Sequence, residues 1–586
     1  MTQRLSGQPL MPVHYEAKQE QGYNIYPVQE LASGTIQEGY STLADWIAEH
    51  KLVLIDGYAG VLWPAVEAAL QREFDKRNLR VSWHKTEVLS TDVSAFTGKR
   101  GEVWGTRSTL SLRDFISDKE IVADEAADIN IIIGTGAALM NTTAPLIYLE
   151  ISKTELQYRM RAGAITNLGS DSIDNPAEMY KRFYFVDWVV LNKYKESLKE
   201  RIAIFADTQW FDTLTWMKAA DLQHACSMVS QTSFRVRPWF EPGAWGGQWM
   251  KEHIAGLNKE EVNYAWSFEL IVPENGLLFG ADGIVFELPF EWLMYYQHNN
   301  ILGRHAGIFK YEFPIRFDFL DTFDGGNLSI QCHPSQDYIR RNFGEVFTQD
   351  ETYYILDCKE GASIYLGFQQ NIQPATFRKA LEDSQQHGEP LDIEQYVQKH
   401  TAKKHDLFLI PNSTVHSAGA NNMVLEISAT PYIFTFKMYD WVRPGLDGKP
   451  RAINIAHAFN NLDFSRRGEE LISKPTVIVN TADWQVVHLP THADHFYDVH
   501  RIEFDTEVVI QTDNKCLVLM LVEGSAISVI DANGNATVYQ YAETFVIPAA
   551  AKMCLISNLG KSRAKLIKAF LKDDHYTFNS IHATSK

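Results

Sequence analysis

The sequence predicts a multidomain protein in which an α/β domain with a parallel sheet precedes two all-β domains. Short apolar runs alternate with helically spaced segments up to about residue 228, which is typical of a parallel sheet covered by helices. Beyond that point, short strands punctuated by Gly, Pro and Asn predict a sandwich or barrel. A stretch near the carboxyl end repeats an earlier one, which predicts two similar β-modules in tandem.

The amino-terminal part divides into a lead-in and the α/β domain. Residues 1–40 are polar and weakly patterned, so we predict a loosely ordered lead-in before a domain at 41–228. Helical spacing in LADWIAEH precedes the apolar run KLVLIDG, and VLWPAVEAALQREFDKR is again helical. Further apolar runs, INIIIGTGAAL and PLIYLEIS, complete an alternation that predicts buried parallel strands joined by helices.

The β-rich remainder divides into a first module at 229–473, with a helical insert at about 375–401, and a second module at 474–586. CLVLMLVEGSAISV in the second module aligns with YYILDCKEGASIYL in the first, and FVIPAAAKM aligns with FLIPNSTVH. These alignments bring Glu523-Gly524 onto Glu360-Gly361 and Pro548 onto Pro411, so we predict a diverged repeat of one β-fold.

Composition and charge exclude several classes of function. The 586 residues carry 54 Lys and Arg against 73 Asp and Glu, a net charge of −19, so nucleic acid is not expected as a partner, because phosphate contacts need a basic face. No apolar run reaches the roughly 20 residues of a membrane helix, and the amino terminus lacks the apolar stretch of a secretory signal. Five widely spread cysteines indicate reduced thiols, so we expect a cytoplasmic protein without membrane partners, of open oligomeric state.

Four potential metal ligands lie in the first β-module, namely Gln331, His333, Glu351 and His416. Gln331 and His333 are two residues apart in LSIQCHP, so strand alternation points both to one face. Glu351 opens ETYYILDC and His416 ends FLIPNSTVH, and such distant strands can converge inside a barrel. Two imidazoles, a carboxylate and an amide oxygen suit Zn²⁺ or another divalent first-row metal with open catalytic positions.

The second module differs at the corresponding positions. Asn514 stands where the first module has Glu351, and Met553 stands where it has His416. An isolated histidine at a strand end is more often structural, but a contrast between two copies of one fold favours a ligand role in the first copy. We therefore predict a metal site in the first module and a structural second module without metal ligands.

The motifs QxHP, ETYYIL and IPxxTVHxxG, in that order, resemble the type I phosphomannose isomerases of the cupin superfamily over about residues 235–572. The resemblance implies two cupin, or jelly-roll, barrels, with Zn²⁺ bound by the four residues named above. It also implies interconversion of mannose 6-phosphate and fructose 6-phosphate through an enediol-like intermediate. The expected partner is therefore a small sugar phosphate.

The resemblance also suggests catalytic and substrate-binding residues. Lys437, in FTFKMYDWVR, stands where the family has an active-site arginine and is therefore the expected catalytic residue, although it keeps the charge but not the planar fork of that side chain. Glu426 in MVLEI is a candidate for contact with a sugar hydroxyl or for proton relay. Gln349 replaces a family lysine, so the phosphate contact would fall to another cation, for which the candidates are Arg443, Arg451 and Lys310.

The segment KLVLIDGYAG and the helix after it resemble the first strand and turn of P-loop kinases of the uridine kinase type. The nucleotide motif is broken, because Leu62, Trp63 and Pro64 stand where Gly, Lys and Ser or Thr are required. Without that lysine the β- and γ-phosphates lack a point charge, and the Trp63 ring occupies the space of a phosphate. We therefore predict a P-loop-like domain without nucleotide cofactor or kinase activity, with a docking, dimerisation or regulatory role.

Three functions are compatible with the sequence. The first is a metal-dependent sugar-phosphate isomerase with an inactive kinase-like domain. The second, favoured by Lys437 and Gln349, is a non-catalytic cupin that senses a sugar phosphate and transmits the signal through the amino-terminal domain. The third is a bifunctional kinase and isomerase, which the broken phosphate loop disfavours.

Overall fold

Two compact units make up the chain. The computed structural model describes residues 3–16, 22–89, 110–117, 121–429, 434–573 and 575. The first unit comprises Met1–Gln19, Tyr26–Met228 and Pro273–Tyr296, and the second comprises Glu20–Ile25, Val229–Val272 and Gln297–Lys586. The multidomain organisation expected from the sequence is therefore present. None of the helices in the described ranges is long and apolar enough to cross a membrane.

Strands dominate the secondary structure. In chain order they are β1 (Val28–Glu30), β2 (Gln37–Glu38), β3 (Leu52–Gly57), β4 (Val81–Lys85), β5 (Ile129–Ile133), β6 (Leu146–Glu150), β7 (Ile202–Asp207), β8 (Thr215–Lys218), β9 (Trp239–Glu241), β10 (Trp266–Leu270), β11 (Gly276–Ala281), β12 (Ile284–Pro289), β13 (Ile315–Asp321), β14 (Ile330–Cys332), β15 (Glu351–Cys358), β16 (Ser363–Phe368), β17 (Val397–Thr401), β18 (Leu407–Ile410), β19 (His416–Ala418), β20 (Asn422–Ala429), β21 (Phe436–Tyr439), β22 (Thr476–Asn480), β23 (Trp484–Leu489), β24 (Tyr497–Phe504), β25 (Glu507–Gln511), β26 (Leu517–Glu523), β27 (Ala526–Asp531), β28 (Ala536–Gln540), β29 (Thr544–Ile547), β30 (Met553–Asn558) and β31 (Ala564–Leu571).

Helices connect the strands of the first unit and interrupt those of the second. They are α1 (Gly39–Ala48), α2 (Trp63–Lys76), α3 (Ala137–Met140), α4 (Lys153–Arg161), α5 (Pro176–Arg182), α6 (Trp188–Leu198), α7 (Ala219–Val229), α8 (Trp249–His253), α9 (Glu291–Leu302), α10 (Ala306–Phe309), α11 (Gln336–Phe343), α12 (Pro374–His387) and α13 (Ile455–Phe459).

A seven-stranded sheet forms the centre of the first unit, in the order β2-β8-β7-β6-β3-β5-β4. The strands from β3 to β7 are parallel to their neighbours, and β8 and β2 add an antiparallel edge. Both β5 and β6 are buried along their whole length, as expected of strands covered on both faces. The alternation of apolar and helical segments therefore predicts this parallel sheet correctly.

A second, three-stranded sheet in the first unit differs from the sequence-based expectation. Strand β1 pairs in parallel with β11, and β11 pairs in antiparallel fashion with β12. The described part of 1–40 is therefore not a loose lead-in, and 273–296, expected within the first β-module, belongs to the first unit. Both differences have one cause: β1 and its partner β11 are far apart in sequence, and local patterning does not reveal such a pairing.

The segment Pro273–Tyr296 also supplies a charge to the interior of the first unit. Glu291 Oε1 accepts hydrogen bonds from Lys153 Nζ at 2.6 Å and from Lys195 Nζ at 2.9 Å. Burial raises the pKa of Glu291, but the two ammonium groups outweigh this effect and bring the pKa to about 2. The carboxylate is thus shared by two buried cations that lie far from it in sequence, and Lys195 also contacts Glu150 at 3.0 Å.

Two β-modules with one strand-pairing scheme account for most strands of the second unit. In the first module β15 pairs with β18 and β20, and β16 pairs with β17 and β19. In the second module β26 pairs with β29 and β31, and β27 pairs with β28 and β30. Gly361 and Gly524, which the sequence alignment superposes, both have positive φ, of 83° and 104°. The internal repeat seen in the sequence is therefore also a repeat of structure.

The helical insert of the first module is shorter than the predicted range 375–401. Helix α12 ends at His387, because Gly388 adopts a left-handed conformation with a φ of 70° that closes the last turn. The end of the predicted range is not helical, since Val397–Thr401 forms strand β17 and pairs with β16.

Candidate metal centre

The four predicted ligands lie on three strands of the first module. Gln331 lies on β14, with His333 directly after it, and His416 begins the neighbouring strand β19, where it pairs with Gln331. Glu351 begins β15, which belongs to a different sheet. The short segment between β18 and β19 connects the two sheets and brings His416 to the side chains of the other ligands.

Three of these side chains are in mutual contact and are buried. His333 Nε2 contacts Glu351 Oε2, and His416 Nε2 lies 3.9 Å from the same oxygen. One ligand atom from each of the three residues lies within 4.8 Å of the other two. Gln331 Nε2 lies 3.2 Å from His416 Nε2, so the amide borders the same point.

Backbone carbonyls orient both imidazole rings. The Nδ1 atom of His333 lies 3.2 Å from the carbonyl oxygen of Phe434, and that of His416 lies 2.9 Å from the carbonyl oxygen of Thr414. Because a carbonyl oxygen only accepts, each Nδ1 carries a hydrogen, and Nε2 is the ring nitrogen that adjoins Glu351. Such a hydrogen bond on the far ring nitrogen is typical of histidines that ligate metals.

The donor set fits a divalent transition metal. Two imidazole nitrogens and one carboxylate are ligands that Zn²⁺ prefers, and the Gln331 amide can add an oxygen if it is turned over about its last bond. Glu351 Oε1 is buried and has no hydrogen-bond partner among the described residues, although a carboxylate oxygen in that setting needs one. An ion at this point would satisfy that oxygen.

The electrostatics hold Glu351 and His416 in the forms that bind metals. Burial raises the pKa of Glu351, but His333, His416 and Arg316 outweigh it and bring the pKa to about 2. Burial, together with the neighbouring His333, lowers the pKa of His416 to about 4 in spite of the opposing charge of Glu351. Glu351 is therefore an anion and His416 a neutral imidazole near pH 7.

A second buried charged cluster adjoins the metal ligands on β13 and β20. Arg316 Nη2 donates to Glu426 Oε1, and Arg316 Nε lies 3.2 Å from Asp318 Oδ1. Gln349 Nε2 lies 3.3 Å from Glu426 Oε1 and 3.4 Å from Glu351 Oε2, so it links the two clusters. Burial raises the pKa of Glu426 to about 7 in spite of the nearby Arg316.

The remaining predicted residues differ in their surroundings. Lys437 is half-buried on β21 and pairs in register with Gln331, so its side chain shares a face with that amide. Arg443 Nη2 donates to Asp440 Oδ1 at 2.8 Å, and Arg451 Nη2 donates to the same oxygen at 2.7 Å. Both arginines therefore share one aspartate. Lys310 is exposed at the end of α10.

Sequence reasoning missed Arg316 and Asp318. They lie two residues apart in EFPIRFDFLDT and are buried with an exposure of 4% and 1%. Two charges at this spacing inside an otherwise apolar strand are the signal that could have identified them, because their shared face must then be a polar interior.

Different parts of the chain are similar to different known proteins. Residues 39–231 match a family described as a domain of unknown function (DUF8485). The mannose-6-phosphate isomerase ManA of Bacillus subtilis is 25% identical over 221 residues, which cover 37% of this chain and 64% of that protein. The probable mannose-6-phosphate isomerase GmuF of the same organism is 29% identical over 229 residues, 38% of this chain and 66% of that protein.

Among solved structures, the mannose 6-phosphate isomerase of Bacillus subtilis matches 58% of this chain and 99% of its own, with a TM-score of 0.48 and 18% identity. By contrast, the chain spans slightly less than two thirds of the length of ManA and of GmuF, the two curated relatives named above. Part of this chain is similar in sequence to mannose-6-phosphate isomerases.

Proposed function

We propose that the first β-module is a metal-dependent aldose–ketose isomerase that interconverts mannose 6-phosphate and fructose 6-phosphate. The observation that carries the proposal is the buried group of His333, Glu351 and His416, bordered by Gln331. The two Bacillus subtilis relatives, named as mannose-6-phosphate isomerases, supply the substrate.

Zn²⁺ or another divalent first-row metal would be held by Gln331, His333, Glu351 and His416, and it would stabilise negative charge on the substrate oxygens. Glu426 is the proposed group that carries a proton between adjacent substrate carbons or holds a sugar hydroxyl. Gln349 orients Glu426 by donating to its Oε1 atom at 3.3 Å. Arg316 Nη2 donates to the same Oε1 atom and so helps to fix the position of the carboxylate.

Lys437 is the proposed catalytic cation, because it shares a face with the ligand Gln331. The proposed phosphate contacts are Arg443, which is paired with Asp440, and Lys310, which is exposed. Gln349 leaves the pocket without the family's lysine. This substitution is the observation that favours the alternative function, a non-catalytic sensor of sugar phosphates.

For the first unit we propose a P-loop-like fold without kinase activity and with a docking or regulatory role. Trp63 begins α2 and packs against Gly57, whose Cβ, if present, would lie 3.1 Å from the Trp63 ring. A cavity of about 350 Å³ at this end of the sheet is lined by 58–64 and 163–171 with Val88 and Thr135, and none of these described residues is Lys or Arg. Such a lining does not suit a polyphosphate.

The direct test measures metal and turnover on the full-length protein. Conversion of mannose 6-phosphate to fructose 6-phosphate should be lost on chelation and regained with Zn²⁺. His416→Ala should lose activity together with one equivalent of bound metal, whereas His387→Ala, at an exposed helix end, should change neither. Full activity in His416→Ala would refute the site, and metal binding without turnover in the parent protein would favour the sensor.

The proposal for the first unit has a separate test. Trp63→Ala should leave isomerase activity unchanged, and the parent protein should show no ATP binding by calorimetry in the low micromolar range. A low micromolar dissociation constant for ATP would contradict the assignment.

A further inference from the structure

The interior face of the second β-module carries a cluster of polar side chains on two adjacent strands. His488 on β23 pairs in register with His500 on β24, and Asp498 lies two residues before His500 on the same strand. Cross-strand partners share a face, and so do residues two apart, so all three side chains project from one face of the sheet. The same face continues through Ile502 and Phe504, which belong to the apolar core of the module.

The three side chains converge on one point. One ligand atom from each lies within 4.8 Å of the other two, and His488 Nε2 is 2.9 Å from Asp498 Oδ2. Backbone and hydroxyl donors hold the other carboxylate oxygen: Asp498 Oδ1 accepts from Val499 N at 3.0 Å and lies 3.4 Å from Thr491 Oγ1. This support directs Oδ2 towards the imidazoles, as outer-sphere contacts do for metal ligands.

His500 completes the group from β24, opposite His488 on β23. Its ring lies 5.2 Å from that of His488 and 4.9 Å from that of Phe570, each at a steep angle. One ring nitrogen of His500 lies within 4.8 Å of a ligand atom of both Asp498 and His488. The cluster is half-buried, with side-chain exposures of 30% for His488 and 18% for Asp498, which leaves a path for an ion.

We propose that His488, Asp498 and His500 bind a divalent first-row transition metal such as Zn²⁺, with water in the remaining coordination positions. Two imidazoles and one carboxylate are a donor set of the kind that this class of ion prefers. The site differs from the one in the first module, because it lies on β23 and β24. The aligned positions Asn514 and Met553 do not take part. The bound ion would join two neighbouring strands and so stabilise the second module.

One nearby cation bears on the affinity of the site. Lys568 on β31 pairs in register with His500 and therefore shares its face. Its Nζ atom lies 5.0 Å from the centre of the Phe570 ring. Because an ammonium repels a bound cation, Lys568→Met should tighten metal binding by about tenfold. If the cluster instead served as an anion site, the same substitution would weaken binding of inorganic phosphate and leave Zn²⁺ unbound.

The test starts from full-length protein whose metal has been removed with a chelator. Titration with Zn²⁺ is then monitored by calorimetry. The parent protein should take up two equivalents, one of which is lost in His500→Ala and the other in His416→Ala. Isomerase activity should persist in His500→Ala, so failure of this site is distinguishable from failure of the first. His488→Gln provides a second variant of the cluster if His500→Ala does not fold.

A parent protein that binds one equivalent, removed by His416→Ala, would overturn the second site. Retention of both equivalents in His500→Ala and in His488→Gln would overturn it as well. Co²⁺ gives an independent readout, because its visible absorption is sensitive to coordination geometry: a second spectral component should disappear in His500→Ala.

Discussion

Gln349 lies between two carboxylates, at 3.4 Å from Glu351 and 3.3 Å from Glu426. Gln349→Lys should lower the KM for mannose 6-phosphate about tenfold, because a charged hydrogen bond to an anion contributes roughly 1.5–3 kcal/mol. The two carboxylates would keep the new ammonium protonated. Steady-state kinetics give the measurement, and Gln349→Met is the control of similar length. Equal effects of the two substitutions would contradict a role of charge at this position.

Arg316 is buried and forms ion pairs with both Asp318 and Glu426. Arg316→Met should destabilise the first module by about 3–5 kcal/mol, because it leaves two buried carboxyl groups without their cation. Urea unfolding of the full-length protein measures the loss. Adding Asp318→Asn and Glu426→Gln should restore part of the stability, whereas an Arg316→Met variant as stable as the parent would show that the ion pairs do not contribute.

The predictability of the site differs from residue to residue. The four proposed ligands could be singled out from the sequence: strand alternation relates Gln331 to His333, and the contrast with Asn514 and Met553 marks Glu351 and His416. Arg316 and Asp318 could not, because charged residues in a strand usually face solvent, and only the pairing of β13 with β20 brings Asp318 opposite Glu426.

At the scale of elements, the turn between β3 and α2 is held by a close approach of backbone. A Cβ on Gly57 would lie 2.7 Å from the carbonyl oxygen of Leu149 on the neighbouring strand. Gly57→Ala should therefore destabilise the parallel sheet by about 1–3 kcal/mol. Faster hydrogen exchange of β3 amides would report it. Gly307→Ala, where a Cβ meets nothing within 4 Å, should be neutral, and equal effects of the two would contradict the steric argument.

The elements themselves were largely predictable. Continuous apolar runs identify β3, β5 and β6, because parallel strands covered on both faces have little polar sequence. Strand β1 could not be recognised in the same way, since three residues with a partly exposed pattern carry little periodic signal. The repeat was visible because positive-φ glycines and strand starts occupy fixed positions in both modules.

At the scale of the whole molecule, pH acts on the first unit through buried acids. Burial, together with the nearby Glu287, raises the pKa of Asp207 from 3.8 to about 7. A raised pKa means that the folded state binds the proton more tightly than the unfolded state. The stability contribution of this group is therefore present at low pH and is lost as the pH rises from 3.8 to about 7.

Asp207→Asn should accordingly be more stable than the parent protein at pH 8, by up to a few kcal/mol, and the difference should shrink towards pH 4. Hydrogen exchange of β7 amides, compared between variant and parent at each pH, measures it. Asp212→Asn, at an exposed position, is the control. A difference that does not depend on pH would contradict the assignment to ionisation of Asp207.

The division of the chain into two units was only partly predictable. The change from alternating helices and strands to short strands places a boundary near residue 228, where the first unit's main segment ends. The return of Pro273–Tyr296 to the first unit has no local signature, because its strands β11 and β12 have the same apolar character as those of the β-modules that flank it in sequence.

Because Pro273–Tyr296 belongs to the first unit, no single truncation point in the chain separates the two units. A truncation after Met228 would remove the carboxylate that Lys153 and Lys195 share and would strip β1 of its only described neighbour in the sheet. During synthesis, residues 26–228 lack this carboxylate until the segment Pro273–Tyr296, about seventy residues further on, has also been made. Any exchange of this half between proteins by recombination would therefore have to carry the later segment with it.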